Sequence, residues 1–165
     1  MIIDGKKEAE VLREEIKKEI ISIKNKTNKS PALTVILAGD FAPSQIYVKN
    51  KEKISKEVGI NSNVIKYPKD VSEEEILKKI KELNNDKNVS GILVQLPLPD
   101  QISKEKVINL IDPLKDVDGF SPINVGNLAS GYNSIVPCTP LGCLFLLKKV
   151  EKNLSGKHAV IIGRS

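Results

Sequence analysis

Apolar residues recur at helical spacing from Lys6 to about Asn25, at Ala9, Val11, Leu12, Ile16, Ile20 and Ile23, and predict a first helix with one buried stripe. Pro31 punctuates the chain. The run Ala32-Leu33-Thr34-Val35-Ile36-Leu37-Ala38, ended by Gly39, then has the pattern of a strand buried on both faces. A second helix is expected from about Pro43 to Val58, with Ser44 as an early capping residue and Gly59 at its end. Asn63 to Tyr67 reads as a second strand, Ser72 with Glu75 opens a third helix through Leu83 in a capping-box pattern, and Gly91 to Gln95 reads as a third strand. Strands alternating with helices at this spacing predict βαβ units with right-handed crossovers, and hence an α/β fold with a parallel sheet.

The texture changes after Gln95. A short helix is expected from Lys104 to Ile111, followed by a weakly periodic stretch punctuated by Pro113, Gly119, Pro122, Gly126, Gly131 and Pro137. A segment this long without regular structure is more often functional than filler. Helix resumes from about Thr139 to Lys152, with Thr139 placed as N-cap and Pro140 at the first helical position. Lys157-His158-Ala159-Val160-Ile161-Ile162-Gly163 reads as another buried strand. A strand feeding Gly163-Arg164-Ser165 normally opens a further βα unit, so the chain is expected to be a fragment, or an unusually short relative, of a longer two-domain protein.

Composition narrows the function classes. With 165 residues, 40% hydrophobic and 28% charged, the chain can bury a self-supporting core, which argues against disorder. Cys138 and Cys143 lack the second Cys or His pair that a zinc site needs, so no metal is expected. No apolar run approaches the ~18 residues of a membrane span, and the N-terminus lacks the apolar core of a secretion signal. The expectation is a cytoplasmic protein with no membrane partner. Net charge is +5, but the lysines are scattered through helical patterns, and with 4% aromatic residues and no Trp the stacking platforms of single-strand binders are scarce. Nucleic acid is not expected as a partner.

In open α/β sheets ligands bind outside the carboxyl ends of the strands. The first strand ends just before Tyr47 and Lys51, which are i,i+4 neighbours on a helix, and the third ends at Gln95. Lys51 can donate three hydrogen bonds and, where desolvated, a lysine can exchange protons near neutral pH; it is either an acid/base group or one more surface lysine beside Lys49, Lys53 and Lys56. Tyr47 either stacks on a planar ligand or packs in the core. Gln95 interrupts an apolar segment, where a buried amide without partners costs ~1–3 kcal/mol; it binds Lys51, a substrate or loop backbone. Asp118, between Val117 and Gly119, either accepts bonds from an amino-heterocycle or makes an Asx-turn. Asp116 is the less distinctive neighbour. Cys138, Cys143 and His158 read as structural, and Gly163-Arg164-Ser165 as a weak phosphate-turn signal.

Five segments in this order resemble the bifunctional methylenetetrahydrofolate dehydrogenase/methenyltetrahydrofolate cyclohydrolase family: Ser44-Gln45-Ile46-Tyr47-Val48-Lys49-Asn50-Lys51, Glu57-Val58-Gly59-Ile60, Gly91 through Pro99, Lys115-Asp116-Val117-Asp118-Gly119, and Pro137-Cys138-Thr139-Pro140. One departure is Ala42-Pro43-Ser44, where the family commonly has Pro-Ala-Ser. The resemblance implies a folate-binding catalytic domain over 1–138, a connecting helix over 139–156, and over 157–165 the first strand of a truncated NADP-binding Rossmann domain. It implies that Tyr47 stacks on the folate rings, Lys51 manages the proton of the cyclohydrolase step, Gln95 tunes Lys51, and Asp118 anchors the pterin. Pro97 and Leu98 would join the tetrahydrofolate contacts; Gly163, Arg164 and Ser165 would begin the NADP phosphate site, with Arg164 facing the 2′-phosphate. The implied chemistry is oxidation of 5,10-methylenetetrahydrofolate with NADP and hydrolysis to 10-formyltetrahydrofolate, feeding purine, histidine and methionine biosynthesis, in a parent homodimer. A monofunctional cyclohydrolase, an NAD-preferring dehydrogenase, or a non-catalytic folate-binding or regulatory module are the rival readings.

Overall fold

A computed structural model describes residues 2–163. Helix α1 occupies Gly5–Thr27, opened by the Asp4 carboxylate, which accepts from Lys7 N at 3.1 Å, and closed by Asn28 at φ 55°. Asn is one of the few side chains that tolerates this left-handed conformation. There follow β1 (Ala32–Ala38), α2 (Ala42–Val58), β2 (Asn61–Tyr67), α3 (Glu73–Asn85) and β3 (Gly91–Val94), the alternation the sequence predicts.

The strands form a parallel sheet in the order β2-β1-β3, with Val35 opposite both Val64 and Leu93. The central position of β1 explains its unbroken apolar run: it is paired on both edges and covered on both faces, and Thr34 through Ala38 are buried. Successive side chains point to opposite faces. Ile36, Ala38, Ile92 and Val94 therefore join Ile76, Ile80 and Leu83 of α3 and Val107 of α4 (Lys104–Leu110), while Val35, Leu37 and Leu93 meet Val48 of α2 on the other side.

The α3 cap forms as predicted, with Ser72 Oγ accepting from Glu75 N at 3.2 Å. Two other caps do not. Helix α2 starts one residue before Pro43, with Phe41 at the N-cap and no side-chain bond there; Ser44 lies inside the first turn and is buried. Helix α6 (Cys138–Val150) has Pro137 at its N-cap, so Thr139 is already helical. The stretch expected to be irregular contains α5 (Pro122–Ala129), opened by Ser121 Oγ accepting from Asn124 N at 3.2 Å. Ser followed by Pro at the first helical position was the signal for it.

The buried strand expected at 157–163 is absent. Val160, Ile161 and Ile162 are 76%, 90% and 97% exposed, and among the described residues no neighbouring strand takes up their backbone N–H groups. An apolar run becomes a strand only where a partner ladder satisfies its backbone. Arg164 and Ser165 lie outside the described residues. Helix α6 meets α1 through Lys149 and Glu8, whose charged atoms are 3.1 Å apart, and none of its residues is buried. Among the described residues no helix is long and apolar enough to cross a membrane.

Candidate functional site

Parallel pairing brings the carboxyl ends of β1 and β3 to one rim. Gly39, at φ 87°, turns the chain from β1 into α2, which carries Tyr47 and Lys51 one turn apart. Gln95 follows β3 and extends its ladder, donating its backbone N–H to Ile36 O at 2.9 Å. Its side chain is held at both ends: Nε2 donates to Leu96 O at 2.8 Å, and Oε1 accepts from Lys51 Nζ at 3.2 Å. Because the amide's donor is spent on backbone, its oxygen is aimed at the amine. Ser44 Oγ donates to the same Leu96 carbonyl at 3.3 Å, a link the sequence reading missed by treating Ser44 as a cap. Lys51 is half-buried. Tyr47 is 61% exposed, which excludes the core-packing reading and leaves its ring open to a ligand.

The segment Lys115-Asp116-Val117-Asp118-Gly119 divides its labour residue by residue. Lys115 Nζ donates to the carbonyls of Leu83, Asn84 and Asp86 at 2.9, 2.8 and 2.8 Å, satisfying the end of α3. Ile92 N donates to Lys115 O at 2.7 Å, so the segment runs beside β3 in a single parallel bridge. Asp116 is buried and accepts from Gly119 N at 3.1 Å, Ser121 N at 2.7 Å and Asn124 Nδ2 at 3.1 Å. The turn-capping bonds the sequence allowed for Asp118 thus belong to its neighbour. Val117 packs against the α2 side of the core, and a methyl on Gly91 would collide with it.

Asp118, half-buried, borders a small cavity with Ile92, Val94 and Leu96. Burial holds its carboxyl above the ordinary aspartate range; the Lys51 ammonium pulls it down in part, and the Asp116 carboxylate pushes it up. Cys138, at the start of α6, has its Sγ 3.5 Å from Val117 O. Its thiol is raised first by burial and then by the Asp118 carboxylate, with Lys51 opposing. Lys51, Asp118 and Cys138 therefore share one electrostatic neighbourhood, although they come from α2, the loop between α4 and α5 (Pro122–Ala129), and α6.

The other expected site residues fall differently. Pro97, joined to Leu96 by a cis peptide, is exposed on the loop after Gln95, while Leu98 packs part of its side chain against the α3 side of the core. Gly163 sits at φ 147° in the exposed tail with nothing near it, and Arg164 and Ser165 lie outside the described residues. Both cysteines are free thiols, and among the described residues no cluster of His, Cys, Asp or Glu could hold a metal.

The family model described as "Tetrahydrofolate dehydrogenase/cyclohydrolase, catalytic domain" matches residues 3–118, a span that contains Tyr47, Lys51, Gln95 and Asp118. This chain belongs to that family. It is 62% identical over its full length to the bifunctional protein FolD of Pelagibacter ubique, covering 59% of that protein, and 52% identical to that of Rickettsia bellii, covering 58%. Among solved structures, the bifunctional FolD of Campylobacter jejuni superposes over the whole chain with a TM-score of 0.96 at 47% identity, the chain covering 58% of it. The Trypanosoma brucei FolD, solved with NADP cofactor and an inhibitor, superposes over 90% of the chain with a TM-score of 0.86 at 32% identity, the match covering 51% of that protein. The chain thus spans a little under three-fifths of the length of the curated relatives it matches. The α/β fold with its parallel sheet is the fold of this family's catalytic domain.

Proposed function

We propose that this chain forms the folate-binding side of an active site that oxidises 5,10-methylenetetrahydrofolate to the methenyl form, with NADP accepting the hydride, and hydrolyses the product to 10-formyltetrahydrofolate. The observation that carries the reading is the Lys51 amine held 3.2 Å from a Gln95 carbonyl whose own orientation is locked.

Hydrolysis needs an aimed water and a proton carrier. The methenyl carbon is already an iminium centre, so water adds to it and gives up one proton; the bond from that carbon to N5 then breaks, the electron pair and a proton go to N5, the carbinol O–H proton is released to solvent as the carbonyl forms, and the formyl group stays on N10. Lys51 takes and returns the proton, and the Gln95 carbonyl holds the amine in line. Tyr47 offers its open ring to the pterin face. Asp118, when ionised, accepts from the pterin amino group and ring N–H; Pro97 and Leu98 border the approach. Folate binding is therefore lost as pH falls through the raised Asp118 pKa.

The dinucleotide reading of Gly163 has no cradle among the described residues: it lies in open, unpaired chain. Family membership supports the dehydrogenase activity. The same support extends to a folate catalytic domain over 1–138, a homodimeric cytoplasmic enzyme, and supply of one-carbon units to purine, histidine and methionine biosynthesis.

The test joins the chain to the C-terminal remainder of the Pelagibacter relative and follows the loss of methenyltetrahydrofolate absorbance. Lys51→Met should lower kcat by about 10²-fold or more, the usual worth of a positioned acid/base group. Undiminished turnover would sink the mechanism.

A further inference from the structure

We propose that Asp116 is a positioning residue, which fixes the Asp118 carboxylate in the site by holding the Gly119 turn and the first turn of α5 together. The inference rests on the reading of Asp118 as the pterin anchor. Asp116 is 3% exposed, and its two oxygens accept three N–H groups from separate points of the chain, Gly119 N, Ser121 N and Asn124 Nδ2. Asn124, 5% exposed, also donates through Nδ2 to Pro113 O at 2.9 Å, so it ties the chain before Asp118 to the chain after it. Ser134 Oγ donates to Asn124 O at 2.8 Å and brings the 134–135 stretch against Gly119.

The geometry leaves Val117 and Asp118 as the apex of a turn whose two feet are bound to one carboxylate. Val117 packs against the α2-side core, while Asp118 borders the small cavity beside Ile92, Val94 and Leu96 and lies in the field of Lys51. A rotation of the apex moves both, so loosening the feet displaces the anchor without touching Lys51 or Gln95, which belong to other elements. A buried carboxylate accepting three N–H donors is worth more than ordinary turn bonds because each is charge-assisted. In the sequence Asp116 is only the less distinctive neighbour of Asp118, because an Asp between Lys and Val carries no spacing signal.

The test uses the 165-residue chain and two variants. Asp116→Asn removes the charge and reverses one acceptor; Asn124→Ala keeps the Asp116 carboxylate and both backbone donors, so it decides the matter if Asp116→Asn does not fold. The first readout is the NMR titration of the Asp118 carboxyl carbon, whose charged and titratable neighbours are Lys51 on α2, Asp116 on its own loop and Cys138 at the start of α6. The pKa of Asp118 should drop toward the ordinary value in both variants, and in Asn124→Ala only displacement can cause it. The second readout is methenyltetrahydrofolate hydrolysis by the same variants in the joined protein. KM should rise about tenfold with kcat within about threefold, equivalent to one lost charge-assisted contact; a merely unstable protein would lose active fraction and lower kcat at unchanged KM. Wild-type titration of Asp118 in folded variants, with wild-type KM, would overturn the proposal. Failure of the folate reading shows separately, as an Asp118→Ala protein with unaltered KM.

Discussion

Gly119→Ala compared with Gly131→Ala isolates the close packing behind Asp118. Both glycines have positive φ, 67° and 76°, so an added methyl carries the same backbone penalty of about 1–2 kcal/mol. They differ in what the methyl meets. At Gly131 there is nothing within 4 Å; at Gly119 it would sit 2.6 Å from Ile135 O and 3.0 Å from Pro137 N, both backbone atoms that cannot swing aside. Overpacking of this kind adds about 1–3 kcal/mol, so Gly119→Ala should destabilise the chain by about 2–5 kcal/mol and Gly131→Ala by about 1–2. Urea denaturation of the two variants and the wild type reads the difference as a shift in midpoint at constant slope. The same displacement moves Asp118, so Gly119→Ala should also weaken binding of 5-formyltetrahydrofolate while Gly131→Ala leaves it unchanged. Equal destabilisation by the two substitutions would refute the crowded-turn account.

Other consequences concern charge. Because burial holds the folded Asp118 pKa above the 3.8 of a free aspartate, the folded state binds the proton more tightly, and stability falls as pH rises from 3.8 through the raised value. Asp118→Asn should therefore be more stable than wild type at pH 7, with the gap closing as pH approaches 3.8; a gap of constant size across that window contradicts the cause assigned. Since the Asp118 carboxylate also raises the Cys138 thiol, Asp118→Asn should speed iodoacetamide alkylation of Cys138 at pH 8, measured by mass spectrometry, and an unaltered rate would show that the two groups do not share a field.

Periodicity located the sheet well, because β1, α2, α3 and β3 each bury a face whose spacing is written in their apolar residues. It misread the tail at 157–163 for a physical reason: Val160, Ile161 and Ile162 have strand character, but a strand is a property of two ladders and the partner is not beside it. The missed helix α5 is only eight residues long and buries Asn124 while Ile123, Val125 and Leu128 are exposed, so it lacked an apolar stripe, and only the Ser121-Pro122 cap betrayed it. At the site, spacing and strand order brought Lys51 and Gln95 to one rim, and the hydrogen bond between them followed. The network under Asp118 was illegible, because Asp116, Asn124 and Ser134 converge through turns rather than through any period.

The most direct measurement is a crystal structure of the chain with 5-formyltetrahydrofolate soaked at high concentration. The account predicts the pterin against the open Tyr47 ring, its amino group and ring N–H on the Asp118 carboxylate, and its bridging carbon facing the Lys51 amine. A ligand bound instead at the amino ends of the strands, in the groove lined by Lys24, Lys56 and Asn61, with Tyr47 and Asp118 untouched, would contradict it.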